Sequence, residues 1–94
     1  MDKLNKNSGA HMNLDRAFID SNTGAMLQAF IDDGGCIVFE NCFIEKFTFD
    51  ARKSVATRFT GCRFQACELY LSNINQVVNC VLKTAPHVEA NENG

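Results

Sequence analysis

The sequence predicts a mainly β solenoid, in which short repeated units stack and bury one continuous narrow core. The first observation is a spacing of five residues between large apolar side chains, at Phe59, Phe64, Leu69 and Ile74. The second is a set of mostly small companions two places earlier, at Thr57, Cys62, Cys67 and Ser72. A period of five fits neither an α-helix, which repeats every 3.6 residues, nor a flat strand, which alternates every two.

The five-residue register extends in both directions from this stretch. Traced backwards from Phe59 it reaches Ser54, Phe49, Ile44 and Phe39. Arg52 and Ser54 are poor core residues, so we expect the segment around 52–56 to bulge outward or to bend a corner. Near the end the pattern improves if it slips by one residue. That slip predicts inward side chains at Val78, Cys80 and Leu82.

The chain divides into one patterned segment and three flanking segments. Residues 1–12 are polar and are expected to form a flexible arm or leader. Residues 13–35 are expected to form a helical N-terminal cap, and residues 36–82 the repeat. Residues 83–94 contain the only proline and no periodicity, which predicts a flexible tail.

The cap is expected to contain one main helix. Thr23 is a suitable N-cap residue, and Gly34 with Gly35 would end the helix. The side chains of Met26, Leu27, Phe30 and Ile31 would share one apolar stripe. Leu14, Ala17 and Phe18 suggest a shorter helical turn before it.

Four consecutive units, TRFTG, CRFQA, CELYL and SNINQ, resemble the pentapeptide-repeat family. That family's loose consensus is a small residue, a polar residue, Leu or Phe, and two variable positions. The weaker units CFIEK and FTFDA extend the resemblance over residues 37–81. It implies a right-handed quadrilateral β-helix with about four units per coil and about two coils. The alternative is an ordinary parallel β-helix, because FENCFI, FTGCRF and VVNCVL recur at about twenty residues.

The family geometry predicts that residues twenty apart stack on one another. Phe39 would then lie over Phe59, Ile44 over Phe64, Phe49 over Leu69 and Cys42 over Cys62. Three outward side chains would line up on one face, at Val38, Arg58 and Val78. On the next face Phe43 would lie beside Arg63.

Composition and motifs favour a non-enzymatic protein of the cytoplasm. The 94 residues carry a net charge of −2, which argues against direct nucleic-acid binding. No apolar run approaches membrane-spanning length, and residues 1–18 lack the apolar core typical of a signal peptide. The five cysteines show no C-x-x-C pair, and the two histidines lie in the expected arm and tail. We therefore expect no catalytic residues, no metal site and no cofactor.

The outward side chains predict a protein-binding module. Phe43 and Arg63 could form a cation–π contact patch, although local packing or cover by the N-terminal segment would also explain an outward Phe. A modest acidic strip is expected at Asp50, Glu68 and Tyr70, with Glu45 near its edge, and Arg58 would interrupt the negative field. These seven residues are the expected partner-binding set.

The resemblance suggests what such a module does. Larger pentapeptide-repeat proteins imitate duplex DNA and act as inhibitors or protectors of DNA gyrase. This implies a small inhibitor or adaptor, of the kind a phage or mobile element encodes, acting on a host or bacterial protein. Two coils are short, so DNA mimicry would require a homodimer. The alternative is a structural β-solenoid module that assembles with itself.

Overall fold

Three parallel β-sheets and one α-helix form residues 9–89, the part of the chain that the computed structural model describes. The elements in chain order are β1 (His11–Asp15), β2 (Phe18–Ile19), α1 (Ser21–Asp32), β3 (Cys36–Glu40), β4 (Phe43–Glu45), β5 (Thr48–Ala51), β6 (Arg58–Thr60), β7 (Arg63–Gln65), β8 (Glu68–Leu71), a 3₁₀ turn (Ile74–Gln76), β9 (Val77–Val78) and β10 (His87–Val88). The prediction of a mainly β chain with one N-terminal helix is confirmed.

Consecutive strands lie in different sheets. The first sheet has the order β1-β3-β6-β9, the second β2-β4-β7 and the third β5-β8-β10. Strands β3, β4 and β5 therefore visit the three sheets in turn, and β6, β7 and β8 repeat that order directly beneath them. Each of these two passes of the chain through the three sheets adds one strand to each of them.

The predicted stacking at twenty residues is confirmed in all three sheets. Phe39 pairs in register with Phe59, Ile44 with Phe64, and Phe49 with Leu69. The rings of Phe39 and Phe59 lie 4.4 Å apart and nearly parallel. Cys42 and Cys62, which follow β3 and β6, are both buried. The large apolar residues of the five-residue pattern therefore form the core between the sheets.

The corners between sheets explain why the period is five. Residues in the left-handed region occupy the corner between the first and second sheets at Arg16, Asn41, Gly61 and Asn79, and the corner between the second and third at Lys46 and Ala66. Each unit joins about three extended residues to a two-residue corner. Main-chain hydrogen bonds continue through the corners, as from the Asn41 N–H to the Thr60 carbonyl at 2.8 Å.

Ala66 is the corner residue whose replacement should raise stability. Its φ of 56° costs an L-residue about 1–2 kcal/mol, whereas glycine adopts this region freely. Ala66→Gly is therefore expected to increase the free energy of unfolding by about 0.5–1 kcal/mol in urea denaturation, after the entropy cost of glycine. Ala25→Gly, on the exposed side of α1, is the control and should lower it by about 1 kcal/mol. A loss of stability in Ala66→Gly would contradict the strained corner.

The helix begins earlier than predicted. Asp20, rather than Thr23, is the N-cap residue, and its carboxylate accepts a hydrogen bond from the Thr23 N–H at 2.9 Å. This hydrogen bond holds the pKa of Asp20 below its usual value. The expected helical turn at Leu14, Ala17 and Phe18 is wrong, because Leu14 lies in β1 and Phe18 in β2. The helix ends at Asp32, followed by Gly34 with a φ of 100°.

One side chain joins the helix to the third sheet. The Gln28 amide donates to the Asp50 carbonyl at 3.0 Å and accepts from the Asp50 N–H at 2.9 Å. It therefore satisfies main-chain groups of β5 as a neighbouring strand would. Helix α1 packs against β5, the edge strand of the third sheet. It takes the position that β1 and β2 take at the corresponding edges of the other two sheets.

The segment between β5 and β6 forms a turn with a buried polar centre. Ser54 and Thr57 are buried, whereas Arg52, Lys53, Val55 and Ala56 are exposed. The Ser54 hydroxyl donates to the Gly35 carbonyl at 3.0 Å and lies 2.7 Å from the Thr57 hydroxyl oxygen. Ser54 thus keeps its inward place in the register because hydrogen bonds satisfy its hydroxyl.

The register beneath this turn differs from the prediction. Ile74 is 53% exposed, and Gln76 points inward instead with 2% exposure. The 3₁₀ turn shortens the spacing, so that Val77 rather than Asn79 pairs with Phe59.

Two predictions for Val78, at the β9 end of the first sheet, are therefore wrong. Val78 pairs with Thr60 instead of lining up with Arg58, and its side chain is 40% exposed rather than inward. Cys80 and Leu82 do pack against the core, as expected.

Two segments expected to be irregular contain strands. His11 and Met12 belong to β1, which pairs with β3, and so are not part of an arm. His87 and Val88 form β10, which pairs with Tyr70 and Leu71 of β8, and so are not part of a loose tail. The rest of the expected arm and tail, residues 1–8 and 90–94, lies outside the described residues.

Candidate partner-binding faces

A row of four outward side chains crosses the second sheet. Phe18 pairs in register with Phe43, Phe43 with Arg63, and Arg63 forms an isolated bridge with Val81. We call these four residues the Phe18–Val81 row. Their neighbours along the strands, Ile19, Ile44 and Phe64, point inward and are buried. The row faces outward because side chains alternate along a strand.

The row is strongly exposed at both ends. Phe18 is 59% exposed and Val81 57% exposed. Phe43 is half-buried because the Phe18 ring stacks on it, with centroids 5.5 Å apart and planes inclined by 11°. The N-terminal segment therefore covers Phe43 but adds its own exposed ring to the surface. Three apolar side chains and one guanidinium form a continuous strip along the sheet.

The expected cation–π contact of Arg63 with Phe43 is not formed. Phe43 lies between Phe18 and Arg63 across the sheet, and its stacking partner is Phe18. The cation–π contact found in residues 9–89 is that of Arg52, whose guanidinium carbon lies 5.2 Å from the Tyr70 ring centre. Arg63 remains exposed beside the stacked pair.

The acidic strip on the third sheet is brought together but is partly neutralised. Asp50 pairs in register with Tyr70. Glu68 lies two residues before Tyr70 on β8 and therefore on the same face of the sheet. The Arg52 guanidinium contacts the Asp50 carboxylate at 2.7 Å and holds its pKa below the usual value. His87 Nε2 lies 3.3 Å from a Glu68 oxygen. The Arg52 guanidinium thus neutralises Asp50, and the His87 ring lies beside Glu68.

Tyr70 is the centre of this cluster. The His87 ring stacks on the Tyr70 ring at 4.4 Å, and Arg52 contacts the Tyr70 ring as well. A shallow cleft of about 190 Å³ is lined by Arg52, Tyr70, His87, Val88 and Glu89. Sequence analysis missed Arg52 and His87. The proximity of Arg52 to Asp50 was a usable signal, but no pattern surrounds His87.

The two remaining residues of the expected set lie apart from these groups. Glu45 pairs in register with Gln65 at the end of the second sheet, and Arg58 pairs with Val38 on the first sheet. The seven residues are therefore spread over three sheets. The structure brings together Phe43 with Arg63, and Asp50 with Glu68 and Tyr70. Phe18 and Val81 complete the first group and were not predicted.

The five cysteines are free thiols. Cys62 is buried, and its hydrogen bond to Cys80 together with this burial raises the pKa of its thiol. The same hydrogen bond lowers the pKa of the Cys80 thiol. Across the part of the chain that the structure describes, no three His, Cys, Asp or Glu side chains lie together as metal ligands. Over the same residues, no helix has the length and apolar character needed to cross a membrane.

Comparison with protein-family models, with curated proteins and with solved structures gives no match.

Proposed function

We propose that the chain is a quadrilateral β-helix of pentapeptide-repeat type that binds another protein through its second sheet, as a small inhibitor or adaptor. The repeat assignment rests on the parallel pairing at twenty residues and on the left-handed residues that recur at two corners. The turn after β5 and the 3₁₀ turn after β8 would form the fourth side. The function is proposed to lie on the outward side chains.

The Phe18–Val81 row is the observation that carries the proposal. Scattered exposed apolar residues are ordinary on a protein surface, but these occupy one continuous line on a rigid sheet. Aromatic residues and Arg are enriched at the centres of protein interfaces, where they fill pockets and are desolvated on binding. The stacked Phe18 and Phe43 would supply the apolar anchor, and Arg63 the polar contact beside it.

DNA mimicry receives less support from the third sheet. An imitation of duplex phosphate needs a continuous negative surface. Here Arg52 pairs with Asp50, and His87 lies against Glu68. We therefore place the partner contact on the second sheet, and a DNA-handling enzyme is one possible class of partner rather than the expected one.

Self-assembly is the second candidate, and exposed apolar side chains in and between β9 and β10 favour it. Val78, Val81 and Val88 are all at least 40% exposed. Strands β9 and β10 are the last strands of their sheets in the described part of the chain, so each offers an edge at which another strand could pair. A second copy of the chain could pair with these edges and form a homodimer or a longer stack. Light scattering would distinguish the two candidate functions. An inhibitor should give one discrete species, whereas the average mass of a self-assembling module should increase with protein concentration.

The proposed function can be tested by capture with two matched variants. The purified chain is immobilised, a cell lysate is passed over it, and retained proteins are identified by mass spectrometry. The variant Phe18→Ala/Arg63→Ala removes the most exposed ring and the guanidinium of the Phe18–Val81 row. The control Asn13→Ala/Arg58→Ala removes an amide and a guanidinium from the first sheet, where both are exposed.

We expect a protein that is held by the wild type and by the control but lost from the row variant. Its purified form should bind the wild type at least about tenfold more tightly than it binds the row variant, because aromatic and Arg anchors each cost more than 1 kcal/mol on truncation. A partner lost from the control instead would assign the first sheet. Retention by all three forms would contradict the proposed face.

A further inference from the structure

A thiol and an imidazole meet on the outer face of the first sheet. His11 is the first residue of β1, Cys36 is the first residue of β3, and the two are register partners. The Cys36 Sγ lies 3.0 Å from His11 Nδ1. The pair is held by the main chain, because the Cys36 N–H donates to the Ala10 carbonyl at 3.1 Å. The contact is therefore built into the sheet rather than made by two long flexible side chains.

Cys36 differs from the other four cysteines in what surrounds its sulfur. Each of the others occupies the same kind of position just before or after a strand and lies against two main-chain carbonyls. The carbonyl pairs are those of Leu14 and Glu40 for Cys42, Phe39 and Thr60 for Cys62, Ile44 and Gln65 for Cys67, and Phe59 and Val78 for Cys80. Only Cys36, among the described residues, contacts an imidazole.

The Cys36–His11 pair opens onto a cleft. The cleft has a volume of about 270 Å³ and lies between the end of α1, the start of β3 and the turn after β5. Its lining includes Ile31, Val55 and the ammonium-bearing Lys53 beside Cys36 and His11. A volume slightly below that of ordinary small-molecule sites, about 300–1,000 Å³, fits one half of a small disulfide. The lysine would favour an anionic group on it.

We propose that Cys36 is a site of reversible S-thiolation by low-molecular-weight disulfides that carry carboxylates. The Cys36 sulfur attacks one sulfur of the disulfide while His11 Nδ1 accepts the thiol proton. A new S–S bond forms to Cys36, the original S–S bond breaks, and the leaving thiolate takes up the proton. One thiol and one disulfide are consumed, and one mixed disulfide and one small thiol are produced. The reaction is independent of the protein contact proposed for the second sheet.

The test measures thiol exchange with an anionic probe disulfide, 5,5′-dithiobis(2-nitrobenzoate), at pH 7. Release of the coloured thiolate gives the rate, and mass spectrometry of quenched samples gives the residue modified. We expect Cys36 to react first, at least about tenfold faster than Cys67, which is also partly exposed but has no imidazole beside it. Cys36→Ser should abolish the fast phase, whereas Cys80→Ser should leave it.

Two further variants separate the roles of the imidazole and of the lysine. His11→Gln should slow modification of Cys36 about tenfold or more while leaving the Cys67 rate unchanged, which also reports that the fold is intact. Lys53→Gln should slow the anionic probe but not the uncharged 2,2′-dithiodipyridine. First modification at Cys67 or Cys80, or an unchanged Cys36 rate in His11→Gln, would overturn the proposal. An equal effect of Lys53→Gln on both probes would overturn its preference for carboxylates.

Discussion

Replacing Phe59 with alanine is expected to lower the free energy of unfolding by about 3–5 kcal/mol. Phe59 is fully buried, and its ring contacts those of Phe39, Phe49 and Phe64 at 4.4–5.7 Å between centroids. Truncation would leave a cavity where the sheets meet, because strands fixed by parallel pairing cannot close around it. Domains of this size are stabilised by about 5–15 kcal/mol, so the loss would be a large share of the total.

Urea denaturation followed by circular dichroism measures this loss. Phe18→Ala is the matched control, since it removes the same atoms from a side chain that is 59% exposed, and it should cost less than about 1 kcal/mol. Equal losses in the two variants would show that Phe59 is not the centre of the core.

Gln76→Leu is expected to be as damaging, although it replaces a polar side chain by an apolar one of similar size. The Gln76 amide nitrogen donates to the carbonyls of Ala51, Ser54 and Thr57, each at 3.1 Å. Its oxygen accepts from the N–H groups of Ser72 and Asn73 at 2.9 and 3.0 Å. Leucine would remove all five of these hydrogen bonds. The Ala51 and Ser54 carbonyls would each keep one main-chain donor, from Ser54 and Thr57 respectively. Each buried group that loses its partner and that water cannot reach costs about 1–3 kcal/mol.

We therefore expect a loss of about 3–5 kcal/mol in Gln76→Leu. Gln65→Leu is the control, because Gln65 is exposed on β7 and should change stability by less than about 0.5 kcal/mol. Calorimetric melts of both variants measure the difference. A Gln76→Leu protein as stable as the wild type would show that Gln76 does not hold the turn after β5.

The repeat could be predicted from the sequence because its core residues are large, apolar and regularly spaced. The pairs Phe39 with Phe59 and Ile44 with Phe64 follow directly from that spacing. The prediction failed where a polar residue replaces an apolar one. Gln76 takes the inward place because its amide satisfies main-chain groups, and no hydrophobic pattern marks such a residue.

Strands β2 and β10 could not be predicted for a different reason. Strand β2 has only two residues, and the apolar residues around it are spaced as in a helical turn. Its conformation is set by pairing with β4, which is distant in sequence. Strand β10 likewise has two residues, and it depends on pairing with β8 and on the stacking of His87 on Tyr70.

The candidate sites were likewise predictable only where their residues lie within the repeat. The outward position of Phe43 and its pairing with Arg63 follow from the repeat register. Phe18 cannot be placed beside them from the sequence, because the spacing around it predicts a helical turn rather than strand β2. The polar sequence around His11 predicts an arm, and it is the pairing of β1 with β3 that brings His11 to Cys36.

The central claim is that the second sheet carries the partner contact, and its most direct test is a binding footprint. Amide and side-chain NMR signals of the labelled chain are recorded before and after addition of the purified partner. The account predicts that perturbations concentrate on Phe18, Phe43, Arg63 and Val81. Perturbations concentrated on Asp50, Glu68 and Tyr70 of the third sheet, with the second sheet unchanged, would contradict it.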